Sequence, residues 1–193
     1  MDIRQQIAPK GLEYRASDFI ISDKYSTILT VISYPKFIDP GFLSQLTSLS
    51  GIKIVIKHIP LPFSVISKTI NKEIADLKVR YQRENDKTLH ARIRLDYESL
   101  EQFITMLAST QSKIYDFQMH IMVTADSQDD LVAKKLQVKN YLEAMEMRAI
   151  PLRFEQEKVL KSIIPIYPKQ EIEDRIGTPI PSPTIAAMYP FIF

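Results

Sequence analysis

The sequence predicts an α+β fold: a mainly antiparallel sheet of about four or five strands with helices packed on one face. Two patterns carry this. Between Lys113 and Ala125, Tyr115, Phe117, Met119, Ile121 and Val123 alternate with Asp116, Gln118, His120 and Thr124, the period of a strand with one buried and one wetter face. Between Ser64 and Tyr81, and again from Leu131 to Met145, apolar residues recur at helical spacing.

The remaining elements follow in order. Residues 1–11 read as an irregular lead-in, and one short strand is expected within Leu12 to Ile21. Tyr25 to Tyr34 is rich in Thr, Ile, Val and Leu and reads as a strand ended by Pro35. Asp39-Pro40-Gly41 punctuates, with Asp39 as N-cap of a short helix from Phe42 to Leu49. Ile52 to Ile59 is the next strand, closed by Pro60 and Pro62. From 64 to 110 the pattern fits a helical hairpin or one long broken helix. Its charged middle, Arg80 to Lys87, is too polar for a core and is expected in water or on a partner. Asp126 or Ser127 caps the following helix, Met147 to Leu152 forms a shorter strand, and Phe154 to Ser162 a charged helix. The stretch 163–193 shows few periodic signals, with a linker-like run from Gly177 to Pro183 and an apolar end, Met188 to Phe193.

Composition narrows the function. The 193 residues include no cysteine, which excludes disulfides, thiolate chemistry and cysteine–zinc sites. A net charge of +2, from 25 basic and 23 acidic residues, argues against a strongly electrostatic nucleic-acid binder. No run approaches the length of a membrane-spanning helix, and the N-terminus lacks the apolar core of a signal peptide. There is no glycine-rich loop ending in Gly-Lys-Ser or Gly-Lys-Thr and no His-Glu-x-x-His, so no catalytic, cofactor-binding or metal residue is expected. His58, His90 and His120 lie in separate elements without ligand spacing, although His58 and His120 become neighbours if their strands pair. Asp126, Asp129 and Asp130 lack the spacing and glycine of a calcium loop and read as helix-capping residues. Lys134, Lys135 and Lys139 read as a solvated helix face, and Glu84, Asp86, Asp96 and Glu98 dilute the arginines at 80–94.

Several stretches together resemble a known family. They are Ile7-Ala-Pro-Lys-Gly-Leu12 with Tyr14 and Phe19-Ile20; Tyr25-Ser-Thr-Ile-Leu-Thr-Val-Ile-Ser-Tyr-Pro35; Pro40-Gly-Phe-Leu43 with the helix before Ser50-Gly51; Ile164-Pro165; and Ala186-Ala-Met-Tyr-Pro-Phe191. On these the chain resembles the N-terminal region of VirB4/TraC/TrbE-like conjugation ATPases, in the form found in Gram-positive plasmids and integrative conjugative elements. The resemblance implies a non-catalytic docking and assembly domain in type IV secretion and conjugative DNA transfer, with an ATPase domain following. It implies a cytoplasmic place at the inner face of the membrane, contact with other secretion-channel components, and self-association. Residues 1–163 then form the N-terminal domain, and 164–193 a Pro-rich linker and apolar tail leading to the ATPase core. The rival class is a small stand-alone nucleic-acid-binding protein using the Arg80–Arg94 and Lys134–Lys139 surfaces.

The expected partner contact lies on two surfaces. One combines Tyr81, Leu89 and Ile93 with flanking Arg80, Arg83, Arg92 and Arg94, because aromatic and aliphatic anchors beside arginines are favoured in interface cores. The bland alternative is that Leu89 and Ile93 hold two helical arms together. The other surface is Tyr189, Phe191 and Phe193, which alternate as strand residues do.

Overall fold

The computed structural model describes residues 11–35, 41, 43–84, 86–110 and 113–187. The lead-in, the Asp39-Pro40 cap, Phe42 and the end from Met188, including Tyr189, Phe191 and Phe193, lie outside the described residues. The fold is α+β, with a mainly antiparallel sheet and helices packed against it, as the two periodicities predict. Strands β1 (Leu12–Tyr14), β2 (Phe19–Ile21), β3 (Lys24–Ser33), β5 (Ile114–Ala125) and β4 (Ile52–Leu61) lie side by side in that order. Strand β6 (Arg148–Pro151) also pairs with β3, and β7 (Thr178–Pro181) with β5.

The chain divides into two units. The first comprises residues 11–58, 117–178 and 187 among those described, and it is built around β3. One edge of β3 pairs with β5, Tyr25 opposite Ala125 through Thr30 opposite His120. The other edge is shared: β2 takes Lys24 to Ser26, and β6 takes Leu29 to Ser33 with an irregularity between Val31 and Ser33. Ser26 to Val31 are all buried, so both faces of β3 are covered. Helix α4 (Gln128–Ala144) packs on β3 and β6, and its N-cap is Ser127, whose hydroxyl accepts from the Asp130 amide at 3.2 Å. Asp126, the other capping candidate, pairs instead with Lys24. Helix α5 (Gln156–Ile163) sets Val159 and Leu160 against Phe19, Ile28 and Ile172.

The second unit comprises residues 59–116 and 179–186. It is dominated by an antiparallel hairpin of α2 (Phe63–Arg83) and α3 (Lys87–Thr110), which settles the choice between a hairpin and one broken helix. Ile66, Ile70, Leu107 and Ile114 form its core, with Leu100, Phe103 and Ile104 packed around them.

Four expectations change. Leu12 to Ile21 is a hairpin of two strands rather than one, because Ala16 and Ser17 reverse the chain and the Arg15 amide donates to the Asp18 carbonyl at 2.8 Å. Strand β4 runs through Pro60 to Leu61, which an outer strand tolerates since a missing N–H there costs no ladder bond. The face of β5 expected to be wetter holds Gln118 and His120 fully buried. The run expected as a linker is folded: after α6 (Glu173–Ile176), β7 adds to the sheet and α7 (Ser182–Ala187) follows. Short α1 (Ser44–Thr47) lies within the expected helix, and Gly51 ends the turn after it at φ +79°. A Cβ on Gly51 would stand 2.4 Å from the Thr124 carbonyl oxygen, so only glycine fits.

Candidate functional site

The turn end of the α2–α3 hairpin gathers the arginines that the sequence singles out. Its closure is local chemistry. The Asp86 carboxylate accepts from the Thr88 and Leu89 amides at 2.7 and 3.1 Å, capping α3. Glu84 accepts from the Asp86 amide at 2.9 Å, and the Tyr81 ring lies on His90 with centroids 3.7 Å apart. Below the turn, Leu77 and Ile93 are buried. Ile93 is therefore taken up within the hairpin's own core, as the bland alternative has it, whereas Leu89 stays 45% exposed. Val79, Tyr81 and Leu95 are exposed as well.

The two helices give this end two unlike flanks. On the first, charges are matched among neighbours. Arg94 pairs with Glu98 at 3.5 Å, Lys78 stands 5.5 Å from the Tyr97 ring centroid, and the Tyr97 hydroxyl donates to Glu101. Tyr81 belongs to this flank, lining with these residues a hollow of about 440 Å³. On the second flank a groove of about 410 Å³ is lined by Leu77, Val79, Leu89 and Ile93, with Arg80, Arg83 and Arg92 beside them. Arg80, Arg83 and Arg92 are exposed, and among the described residues none forms an ion pair. The expected contact set is thus divided: Tyr81 and Arg94 on one flank, Arg83, Leu89, Arg92 and Ile93 on the other.

The sheet unit holds a different kind of polar constellation, which sequence reasoning missed. His120 is fully buried, and its Nδ1 lies 3.1 Å from the Thr30 hydroxyl. Burial, reinforced by the nearby Lys57 ammonium and opposed by Glu173, lowers its pKa to about 4, so the ring is neutral near pH 7. Lys57 donates to Glu173 at 2.5 Å and to the Ser162 carbonyl at 3.0 Å. Glu173, only 3% exposed, also accepts from the Gln170 amide at 2.9 Å, while its carbonyl accepts from the Gln118 side chain at 2.8 Å. These bonds pin residues 162–173 to β4 and β5. His58, the possible neighbour of His120, is exposed.

Gln156 is the second missed residue. Between the stretches of β3 paired by β2 and by β6, Ile28 faces a gap in the ladder. The buried Gln156 amide fills it, accepting from the Ile28 N–H at 2.9 Å and donating to the Ile28 carbonyl at 3.2 Å. No sequence signal separates this glutamine from a solvated one. An open hollow of about 380 Å³ beside it is lined by Ile32, Leu152 and Ile172 with Arg153, Glu155 and Arg175. Glu155 there pairs with Lys158 at 2.9 Å and Arg175 at 3.4 Å.

Among the described residues no group of three or more His, Asp or Glu side chains could hold a metal ion, and no helix is long and apolar enough to cross a membrane. On α4, Lys134 pairs with Asp130 at 3.2 Å, and Lys135 and Lys139 are half-buried. Compared with known proteins, the sequence matches no family model and no curated protein.

Proposed function

We propose that this chain is a non-catalytic docking and assembly domain, and that the turn end of its helical hairpin is a contact surface. One observation carries this reading: exposed Val79 and Leu89 line one groove with three exposed arginines that have no ion-pair partner among the described residues. Arginine is enriched in interface cores while other charged residues are depleted there, and three arginines grouped around an exposed apolar floor give this end that character. The setting we propose comes from the sequence resemblance: a VirB4-like ATPase of a conjugative type IV secretion system. There the domain sits at the cytoplasmic face of the membrane and binds channel components, and hydrolysis belongs to an ATPase domain further along the full-length protein.

The test uses the tagged chain in cells carrying the conjugative system. Secretion-channel subunits encoded beside it should be captured. Replacing residues 78–96 by a short Gly-Ser turn should abolish capture while the sheet still melts cooperatively. Equal capture with and without the hairpin end refutes the contact surface. Binding of DNA with a steep salt dependence, and of no channel subunit, favours the nucleic-acid-binding rival instead.

A further inference from the structure

We infer that the second flank of the hairpin end receives an acidic, amphipathic protein segment, whose carboxylates pair with Arg80, Arg83 and Arg92 around an aliphatic side chain seated on Val79 and Leu89. This rests on the docking reading above and adds the chemistry of the partner. Charge complementarity points to this partner. On the first flank, Arg94 has Glu98 and Lys78 has the Tyr97 ring. On the second, Arg80 and Arg83 rise from α2 and Arg92 from α3, and all three lack a carboxylate within ion-pair distance among the described residues. Arg80 and Arg83, three positions apart, lie on one face of α2, and Arg92 follows Leu89 by the same step on α3. Guanidinium groups thus stand on both helices beside one apolar floor, Leu77 and Ile93 buried, Val79 46% and Leu89 45% exposed.

Guanidinium forks match carboxylates in two-point geometry, and an arginine left without an anion on a surface is available for one. The apolar floor decides against a phosphate backbone, which brings no side chain to cover it. Glu84 and Asp96 line the same groove and oppose a continuous polyanion. The Glu84 carboxylate accepts from the Asp86 amide but keeps its charge, so Glu84 at the turn and Asp96, one turn beyond Arg92, are the two acidic ends of the groove. The partner segment therefore places its carboxylates against the arginines between these two ends and neutral or basic residues toward Glu84 and Asp96.

The experiment measures binding of a fluorescent, helix-forming peptide with leucines at i and i+4 flanked by glutamates to the full-length chain. The acidic peptide should bind, and its glutamine counterpart should bind at least about tenfold more weakly. The triple variant Arg80→Glu/Arg83→Glu/Arg92→Glu should lose about tenfold or more, whereas Arg94→Gln on the first flank changes affinity less than about twofold. Far-ultraviolet circular dichroism checks that the helices persist, and Arg83→Gln with Val79→Ser serves as the milder pair if the triple variant unfolds. Failure of the peptide to bind, equal binding of the glutamine peptide, or equal loss on both flanks overturns the inference. So does an oligonucleotide that binds through the same arginines more tightly than the peptide. Should charge reversal leave channel-subunit capture intact while removal of the hairpin end abolishes it, the docking reading stands and the acidic partner falls.

Discussion

The two units solve the problem of polar groups in opposite ways. In the sheet unit, several polar side chains are drawn inside and tied down, Thr30 to the Nδ1 of His120, Gln156 to the Ile28 backbone and Glu173 to Lys57, while His120 Nε2 has no partner among the described residues. In the hairpin unit, polar side chains stay outside, and the core is a narrow seam from Ile66 and Leu107 to Leu77 and Ile93. A buried polar group left without a partner costs the full desolvation of that group, whereas an exposed one has water to fall back on. Stability should therefore be sensitive to polar substitutions in the first unit and indifferent to them at the end of the second, which leaves that end free to serve a partner.

The sharpest break is at the buried ion pair. Lys57→Met should destabilise the chain by about 3–5 kcal/mol, because it leaves the Glu173 carboxylate buried without its counter-charge. Adding Glu173→Leu should restore much of the loss, and chemical denaturation of both variants checks it. Equal stability of the single and double variants would show that Lys57 does not pin Glu173.

Next is pH. His120 is held neutral, with a folded pKa of about 4 against an ordinary 6.5. Between those values the unfolded chain binds the extra proton, so this contribution is whole above pH 6.5 and is lost as pH falls toward 4. The loss is on the order of 3 kcal/mol. Its isolation requires a variant, since Lys57 and Glu173 face the same ring. His120→Asn keeps a group near the Thr30 hydroxyl and should flatten the pH dependence of the melting temperature in that window.

Gln156→Ala comes third. It strips the Ile28 N–H and carbonyl of their partner inside the sheet, at a cost of about 1–3 kcal/mol. Amide hydrogen exchange at Ile28 should accelerate more than at Leu29, whose amide faces the β5 edge of the strand. At the small end, Leu89→Ser in the hairpin should change stability by no more than about 0.5 kcal/mol, as measured by thermal melting. A loss comparable to that of Gln156→Ala would show Leu89 to be core and weaken the docking reading.

What could be read from the chain alone was whatever chemistry acts between near neighbours. Alternation marked β5, the charged run from Arg80 to Lys87 marked the exposed middle of the helical stretch, and Ser127 stood among the expected caps of α4. Leu89 and Ile93, four positions apart, share one apolar stripe in the sequence, and only the facing arm decides that Ile93 is covered and Leu89 is not. Gln118 and His120 sat at the polar positions of the alternation, where a wetter face was the natural expectation. They are buried because residues 162–173, which carry little periodicity, are tied down over them by Lys57 and Glu173. Gln156 meets Ile28 across 128 positions of sequence, and Lys57 meets Glu173 across 116. Periodicity, capping and turn chemistry are set within a few residues and so are written locally. Which polar side chain will face a gap in a strand ladder depends on where distant segments close against one another, and no local pattern encodes that.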